Sequence, residues 1–336
     1  MSAKNALFLI TAAVVLAVSI VVALTIGQYE ITLGDLYDLI GGEAKDSERA
    51  HAVKIVLEEI RLPRVLCAAA IGAALAVGGA LFQGIFVNPL VSPGILGSLN
   101  GAGFGAALAM VLGFSIFGVQ LFAFAFSLAA VIFAILIAKI YGSGEKVLTL
   151  ILGGVISSAL FAALLSLMKY VADPYDALPS IVYWLMGSMS FATSDHLIFV
   201  TPIMAIAIVI SLLFSKRLDL MTLGEEDAKT LGLNVPVTRL TIIALAAALA
   251  ALSVMICGVI GWVGLVAPHI ARFICGANHF ALILASALIG ALFLLYTDTL
   301  SRSLFTAEVP LGILISFVGI PVFIFALSHA KRRANA

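Results

Sequence analysis

The residues in this chain that could do chemistry are few, and they sit in two groups. Arg61 and Arg64 flank Leu62 and Pro63 just before an apolar run, and Arg302 stands just past another. A guanidinium fork binds a carboxylate through two parallel hydrogen bonds, so arginines at one end of a bundle fit an acidic protein partner. Anchoring in lipid headgroups is the plainer alternative. The second group is Glu225, Glu226 and Asp227, which follow Gly224. Three acids at a helix start suit its positive end, and Gly232 stands where a C-terminal glycine cap belongs. Ala228 and Leu231 continue an apolar side between them. The segment 216–235 is too polar and too short to cross a bilayer. It is either a docking surface for a soluble protein or a structured surface loop without a partner.

Groups for covalent or metal chemistry are missing from the pattern. Cys67, Cys257 and Cys275 all lie in or beside apolar runs, with neither disulfide nor Cys/His metal spacing. His269 stands alone beside Pro268, so no bound metal is expected. There is no G-x-x-x-x-G-K-S/T phosphate loop. Between Asn88 and Ala138 not one residue is charged. Ion-coupled transporters keep an ionisable relay at depth, and a membrane hydrolase needs a nucleophile and a base there. The sequence therefore argues against both, and any work done here must draw its energy from another chain.

The elements that carry these residues are membrane spans. Of 336 residues, 63% are hydrophobic and 11% charged, under half of the ~25% usual in soluble domains. The composition is that of an all-α polytopic membrane protein, and zero net charge gives no sign of nucleic acid binding. Runs of ~20 apolar residues predict about ten transmembrane helices. They fall near 5–27, 63–86, 93–113, 117–138, 147–168, 197–214, 237–257, 259–275, 280–297 and 309–328. The first run is longer than a signal-peptide core and no cleavage pattern follows, so it reads as a retained span. Residues 28–60 form a polar loop in which Ile31 to Ile40 has helical spacing. Residues 177–194 include a run, Ile181 to Met186, too short to span; it reads as re-entrant or interfacial.

Ten spans place both termini on one side. With that side cytoplasmic, the inner segments and inner span ends hold 11 of the 18 basic residues and the outer ones 7. Lysine and arginine set orientation, so 216–235 is expected in the cytoplasm and the loop 28–60 outside. Two runs read as broken helices: Asn88 to Gly94, with two prolines, and Gly258 to His269, with three glycines and a proline. Irregular backbone at depth must be buried in protein or line a wet cavity. The second span is dense in alanine and glycine, which lets helices approach closely in lipid.

These segments resemble the FecCD family of ATP-binding-cassette importer permeases, which includes the vitamin B12, iron–siderophore and haem permeases. The resemblance runs from about residue 30 to the end. It rests on RLPR (Arg61 to Arg64), NPLVSPGILG (Asn88 to Gly97), WLMGS (Trp184 to Ser188) and LGEEDAKTLG (Leu223 to Gly232). GLVAPHIAR (Gly264 to Arg272), DTLSR (Asp298 to Arg302) and PLG with GIP (Pro310 to Gly312, Gly319 to Pro321) complete it. One departure is Ser92, where the family often has an acidic residue before the second proline.

The resemblance implies one permease domain over 1–336 with the vitamin B12 permease-like ABC importer fold, working as a homodimer in the cell membrane. It implies two cytoplasmic ATPase subunits bound at Leu223, Gly224, Glu225, Glu226, Asp227, Ala228, Leu231 and Gly232, and using the ATP and magnesium themselves. It implies a substrate-binding protein docked outside through Arg61, Arg64 and Arg302. Gly142, Ser143 and Gly144 resemble part of the cytoplasmic gate. Gly153, Gly154, Ser157 and Ser158 are candidates for the pathway lining, with helix packing as the alternative. The expected function is import of a metal chelate (iron–siderophore, haem or cobalamin) without catalysis or cofactor in this chain. A molybdate or tungstate permease of the same family is the alternative, and an ion-coupled secondary transporter is the competing class.

Overall fold

The protein was analysed as a computed structural model, which describes residues 2–32, 34, 35, 37, 48–142 and 146–334; for 146 and 325–334 it describes the backbone alone. The chain is all helix and turn among these residues. Among the described residues, seven helices are long and apolar enough to cross a membrane. They are α1 (Ala3–Thr25), α3 (Leu62–Ile85, continuing a helix that starts at α2, Glu48–Ile55), α5 (Ile116–Tyr141) and α6 (Lys146–Val171), then α8 (Thr201–Leu213, which with the π-helical turn His196–Val200 makes one span), α11 (Val235–Cys257) and α13 (His279–Ser301). Shorter apolar stretches fill the gaps: α4 (Ser98–Val111), α7 (Ala177–Met186), α12 (Val263–Cys275) and Leu311–Ile324, the first part of α14 (Leu311–Ala334). Two small helices, α9 (Ser215–Met221) and α10 (Glu225–Thr230), lie between α8 and α11.

α3 is the axis of the bundle. Its small residues let other backbones come into contact with it, and this is the physical use of its composition. A Cβ on Gly72 would lie 2.2 Å from the Gly290 carbonyl of α13, and one on Gly290 would lie 2.3 Å from the Gly72 carbonyl. A Cβ on Gly79 would overlap the Gly264 carbonyl of α12. Leu81, Phe82, Ile242, Leu249 and Ile283 fill the same core.

Both expected breaks exist; the second is largely buried in protein, whereas the first is exposed at Asn88–Leu90 and buried at Val91 and Pro93. After α3 the chain turns through Pro93–Leu96, where the Ile95 carbonyl meets Gly154 of α6 and Pro93 meets Gly264 of α12. Ser98 Oγ donates to the Pro93 carbonyl at 3.0 Å. Ser92 is the N-cap of this turn with no side-chain capping bond. In the second break, residues 258–262, Trp262 takes a left-handed backbone (φ 62°). Three chain ends satisfy one another beside it. Ser188 N donates to the Cys257 carbonyl at 2.9 Å, and Leu311 N donates to the Gly187 carbonyl at 2.9 Å. Helix ends leave such groups unpaired, and lipid offers no substitute partner.

Two expectations need amending. The loop 28–60 is helical from Glu48, and a π-helical turn at Val56–Arg61 joins it to α3. Pro63 has no N–H to offer the preceding turn, and a widened turn accommodates that loss without breaking the helix. The ninth span extends to Ser301, which takes Asp298 inside it with 0% exposure. The spans are thus not free of ionisable side chains; the buried carboxylate is paired with Arg64 of α3. Of the Ile31–Ile40 helix, Thr32 and Asp35 form its start: Thr32 Oγ1 accepts from Asp35 N, and Asp35 Oδ2 accepts from Thr32 N. Residues 33, 36 and 38–40 of that run lie outside the described residues.

Candidate functional site

Three parts of the bundle combine exposure with built geometry. The first is the segment between α8 and α11. Gly224 adopts φ 106°, which side chains disfavour, and opens α10 with Glu225, Glu226 and Asp227 in its first turn. At the other end Gly232 (φ 83°) donates to the Lys229 carbonyl at 2.9 Å, and Leu233 N donates to the Ala228 carbonyl at 3.0 Å. That pair of bonds is the Schellman motif, so the glycine expected as a cap is one. Ala228 is buried, whereas Leu223 and Leu231 are 56% and 59% exposed. Glu226, Asp227 and Lys229 are exposed beside them. An apolar pair with a charged rim has the character of a protein docking surface.

The segment is fastened to the bundle at two points. Arg239 of α11 donates to Glu225. Asp219 of α9 accepts from the backbone N–H of His279 at 3.0 Å, and its Oδ1 lies 2.6 Å from His279 Nδ1. A carboxylate at the N-terminus of α13 is favoured by the helix dipole as well as by these bonds. Asp219 was not singled out from the sequence; its signal was an acid on the buried side of a short helix whose neighbours Leu218 and Met221 are core residues.

The second part is the opposite mouth of the bundle. Arg64 Nε and Nη2 donate to Asp298 Oδ1 at 2.9 and 2.8 Å, and Nη1 and Nη2 donate to the two Glu308 oxygens at 2.6 and 2.9 Å. Ser190 Oγ donates to Glu308 Oε2 at 2.8 Å. Arg302 Nη2 donates to the Ala23 carbonyl at 2.6 Å and its Nε lies 3.7 Å from Asp298 Oδ2. Arg61 donates to the Leu24, Thr25 and Tyr29 carbonyls, covering orphan groups at the end of α1. The three arginines expected as outward forks are therefore together but buried, at 4%, 7% and 6% exposure. Glu308, the acid at the rim, was missed by sequence reasoning. Burial opposes its charge, but the Arg64 hydrogen bonds outweigh that and hold the carboxyl below its usual range.

The third part is a pair of exposed apolar surfaces, one on α6 and one on α14. Leu148, Leu152, Val155 and Ile156 of α6 are exposed, as are Phe317 and Ile324 of α14. A cleft of about 450 Å³ lies between the end of α7 and α14, lined by Leu185, Met186, Gly312, Ser316 and Phe317. Of the pathway candidates, Gly153 packs on the Ala134 carbonyl, Gly154 on the Ile95 carbonyl, and Ser157 Oγ donates to the Ala130 carbonyl at 2.7 Å. They face neighbouring helices, and the bulky residues beside them make the exposed surface of α6. Ser158 is half-buried, with its carbonyl accepting from Asn100 Nδ2 at 3.1 Å. Gly142 is exposed at the end of α5; Ser143 and Gly144 lie outside the described residues. His269 packs edge-on against Phe273, with Phe323 on another side.

The profile of the FecCD transport family matches residues 15–329. The molybdate import system permease protein MolB of Haemophilus influenzae is 39% identical over 319 residues, 94% of each chain. The hemin transport system permease protein HmuU of Yersinia pestis is 38% identical over 82% of this chain and 84% of its own. The Fe(3+) dicitrate transport system permease protein FecD of Escherichia coli is 38% identical over 85% and 89%. A solved structure described as an inward-facing ABC transporter of the metal-chelate type superposes with a TM-score of 0.86 at 37% identity, covering 96% of this chain and 99% of that one.

Proposed function

The chain belongs to the FecCD transport family as an ABC transporter permease, and from that premise we propose that it imports a metal chelate using ATP hydrolysed by partner subunits. The observation that carries this reading is the capped, exposed helix α10 with Leu223 and Leu231 beside it, fastened to α13 through Asp219. A cytoplasmic ATPase seated there pulls on the ends of α13 and α11 when it closes. The excess of basic residues on that side supports its cytoplasmic placement. The exposed apolar surfaces of α6 and α14 support a homodimer with the pathway along its axis. The mouth around Arg64 is where a substrate-binding protein docks, and docking through arginine forks requires Glu308 to release Arg64.

A second cargo reading, a molybdate or tungstate oxyanion, is favoured by the 39% identity to a permease named for molybdate import. The cleft beside α14 is mainly apolar, which favours a bulky ligand over a bare oxyanion. Reconstitution into liposomes with the ATPase and the binding protein tests both. Uptake of chelate that requires ATP and stops with a hydrolysis-dead ATPase is the expected result. Uptake unaffected by that ATPase overturns the ABC mechanism here, and ATP-driven molybdate uptake without chelate uptake moves the cargo to the second reading.

A further inference from the structure

A cavity of about 110 Å³ lies where the segment carrying α9 meets the bundle, its surface mostly apolar and including Val87 and Pro89. Its wall includes Gln83 and Gly84 of α3, Asn88 of the turn that follows, Thr222 after α9, Arg272 of α12 and His279 of α13. Three buried polar atoms on that wall have no hydrogen-bond partner among the described residues: Gln83 Oε1, Arg272 Nε and His279 Nε2. Gln83 and His279 are each 1% exposed. Buried polar groups are nearly always paired, so three orphans around one hollow point to an occupant.

The chemistry of the wall narrows it. Arg272 has no ion-pair partner among the described residues. Asn88 Oδ1 accepts from Leu90 N at 2.9 Å, so its amide nitrogen is the remaining donor. His279 uses Nδ1 and its backbone N–H on Asp219, which leaves Nε2 for the cavity. The wall thus offers a fixed positive charge, one amide donor (Gln83 Nε2 is taken by the Leu265 carbonyl at 3.4 Å) and at least one acceptor, Gln83 Oε1. A halide pairs with the donors and leaves the glutamine orphaned. A partly protonated tetrahedral oxyanion serves both kinds of group, because its O–H donates while its other oxygens accept. The hollow exceeds the ~30 Å³ share of a single water. Gly84 keeps it open: a Cβ there would lie 3.0 Å from His279 Nε2.

We propose that this cavity binds a hydrogen-phosphate group, bridging Arg272 and Asn88 beside Gln83 and His279. The group comes from inorganic phosphate or from the phosphate monoester of a lipid. Bound there, it ties the end of α9 to α3, α12 and α13 at once, and so stiffens the segment that the ATPase pulls. Occupancy adjusts coupling without touching the pathway.

The test is phosphate binding to the purified full chain in detergent, with no ATPase present, so that its outcome does not depend on the transport reading. Thermal unfolding is followed in inorganic phosphate and in chloride at equal ionic strength, then in nanodiscs with and without phosphatidic acid. A ligand that binds only the folded state raises the midpoint. Arg272→Gln is expected to weaken phosphate binding about tenfold or more, the loss of a charge-assisted bond. Asn88→Asp keeps the acceptor that holds the Leu90 turn but puts a carboxylate on the donor side, and is expected to abolish the shift. Arg217→Gln, on the exposed side of α9, is expected to leave it intact. A shift from inorganic phosphate identifies the free ion, and one from phosphatidic acid alone identifies the lipid. No shift from either, or a shift that survives Asn88→Asp in a folded protein, overturns the site.

Discussion

Arg64 illustrates what a single side chain carries here. It serves two carboxylates, and one of them, Asp298, has no exposure at all. Removing one partner of a buried pair leaves the other charge uncompensated, which costs about 3–5 kcal/mol. Arg64→Gln is expected to lower the unfolding midpoint in detergent, and Arg64→Gln with Asp298→Asn to recover most of the loss. A double mutant as unstable as the single one would show that the pairing is not what the arginine supplies. The rim partner behaves differently. Glu308 has a depressed carboxyl in the folded state, so its contact with Arg64 is complete above the ordinary carboxylate range and is lost as pH falls through the lower folded value. Glu308→Gln is accordingly expected to tighten docking of the binding protein severalfold at neutral pH, because Arg64 then has one less competitor; weaker docking would count against release of Arg64 as a docking step. The arginines themselves were legible in the sequence, being basic residues beside apolar runs. Their partners were not, since Asp298 and Glu308 lie 234 and 244 positions away and nothing local pairs them.

At the scale of elements, legibility followed the range of the forces. Helix caps are set by a few consecutive residues, so the glycines bounding α10 and the turn after α3 could be read directly. The joining of α2 to α3 could not, because it depends on a π-helical turn that lets a proline sit inside a continuous helix. The close crossing of α3 with α13 was legible only as a surplus of small residues, without its partner. Its consequence is testable: Gly72→Val places carbons where the Gly290 carbonyl stands, and is expected to leave little folded protein in the membrane fraction. Yields matching the parent chain would mean that the helices can part at little cost. The Asp219 contact, which the sequence did not announce, makes α9 a lever. Asp219→Asn preserves the exposed faces of α10 but gives up a charge-assisted bond worth about 1.5–3 kcal/mol. ATPase association is expected to persist while uptake per ATP hydrolysed falls about tenfold. Unchanged stoichiometry would place force transmission elsewhere, with the Glu225–Arg239 contact as the remaining fastening.

The whole molecule presents several exposed apolar faces, and a membrane chain has to divide them between lipid and protein. α8 exposes Ile203, Ile206 and Val209, as a lipid-facing helix does. The faces of α6 and α14 differ in lying beside Gly142 and the cleft at Gly312 and Phe317. Lipid tails do not drive helices together hydrophobically, so a dimer along these faces has to be held by shape and close packing. In the dimer proposed above, the two copies of α14 lie near each other across the axis and the two α8 helices lie on the outside. Phe317→Cys, at a position 75% exposed, is therefore expected to cross-link between copies with a short bifunctional reagent in native membranes. Ile206→Cys, 59% exposed, is expected to stay uncoupled. The native cysteines are buried and leave the background low. Adding the binding protein with its cargo and then trapping the ATPase pair closed should change the Phe317 yield, since a pathway that opens alternately to the two sides has to move the helices that line it. Equal yields at both positions would make α14 a lipid-facing helix and place the axis elsewhere.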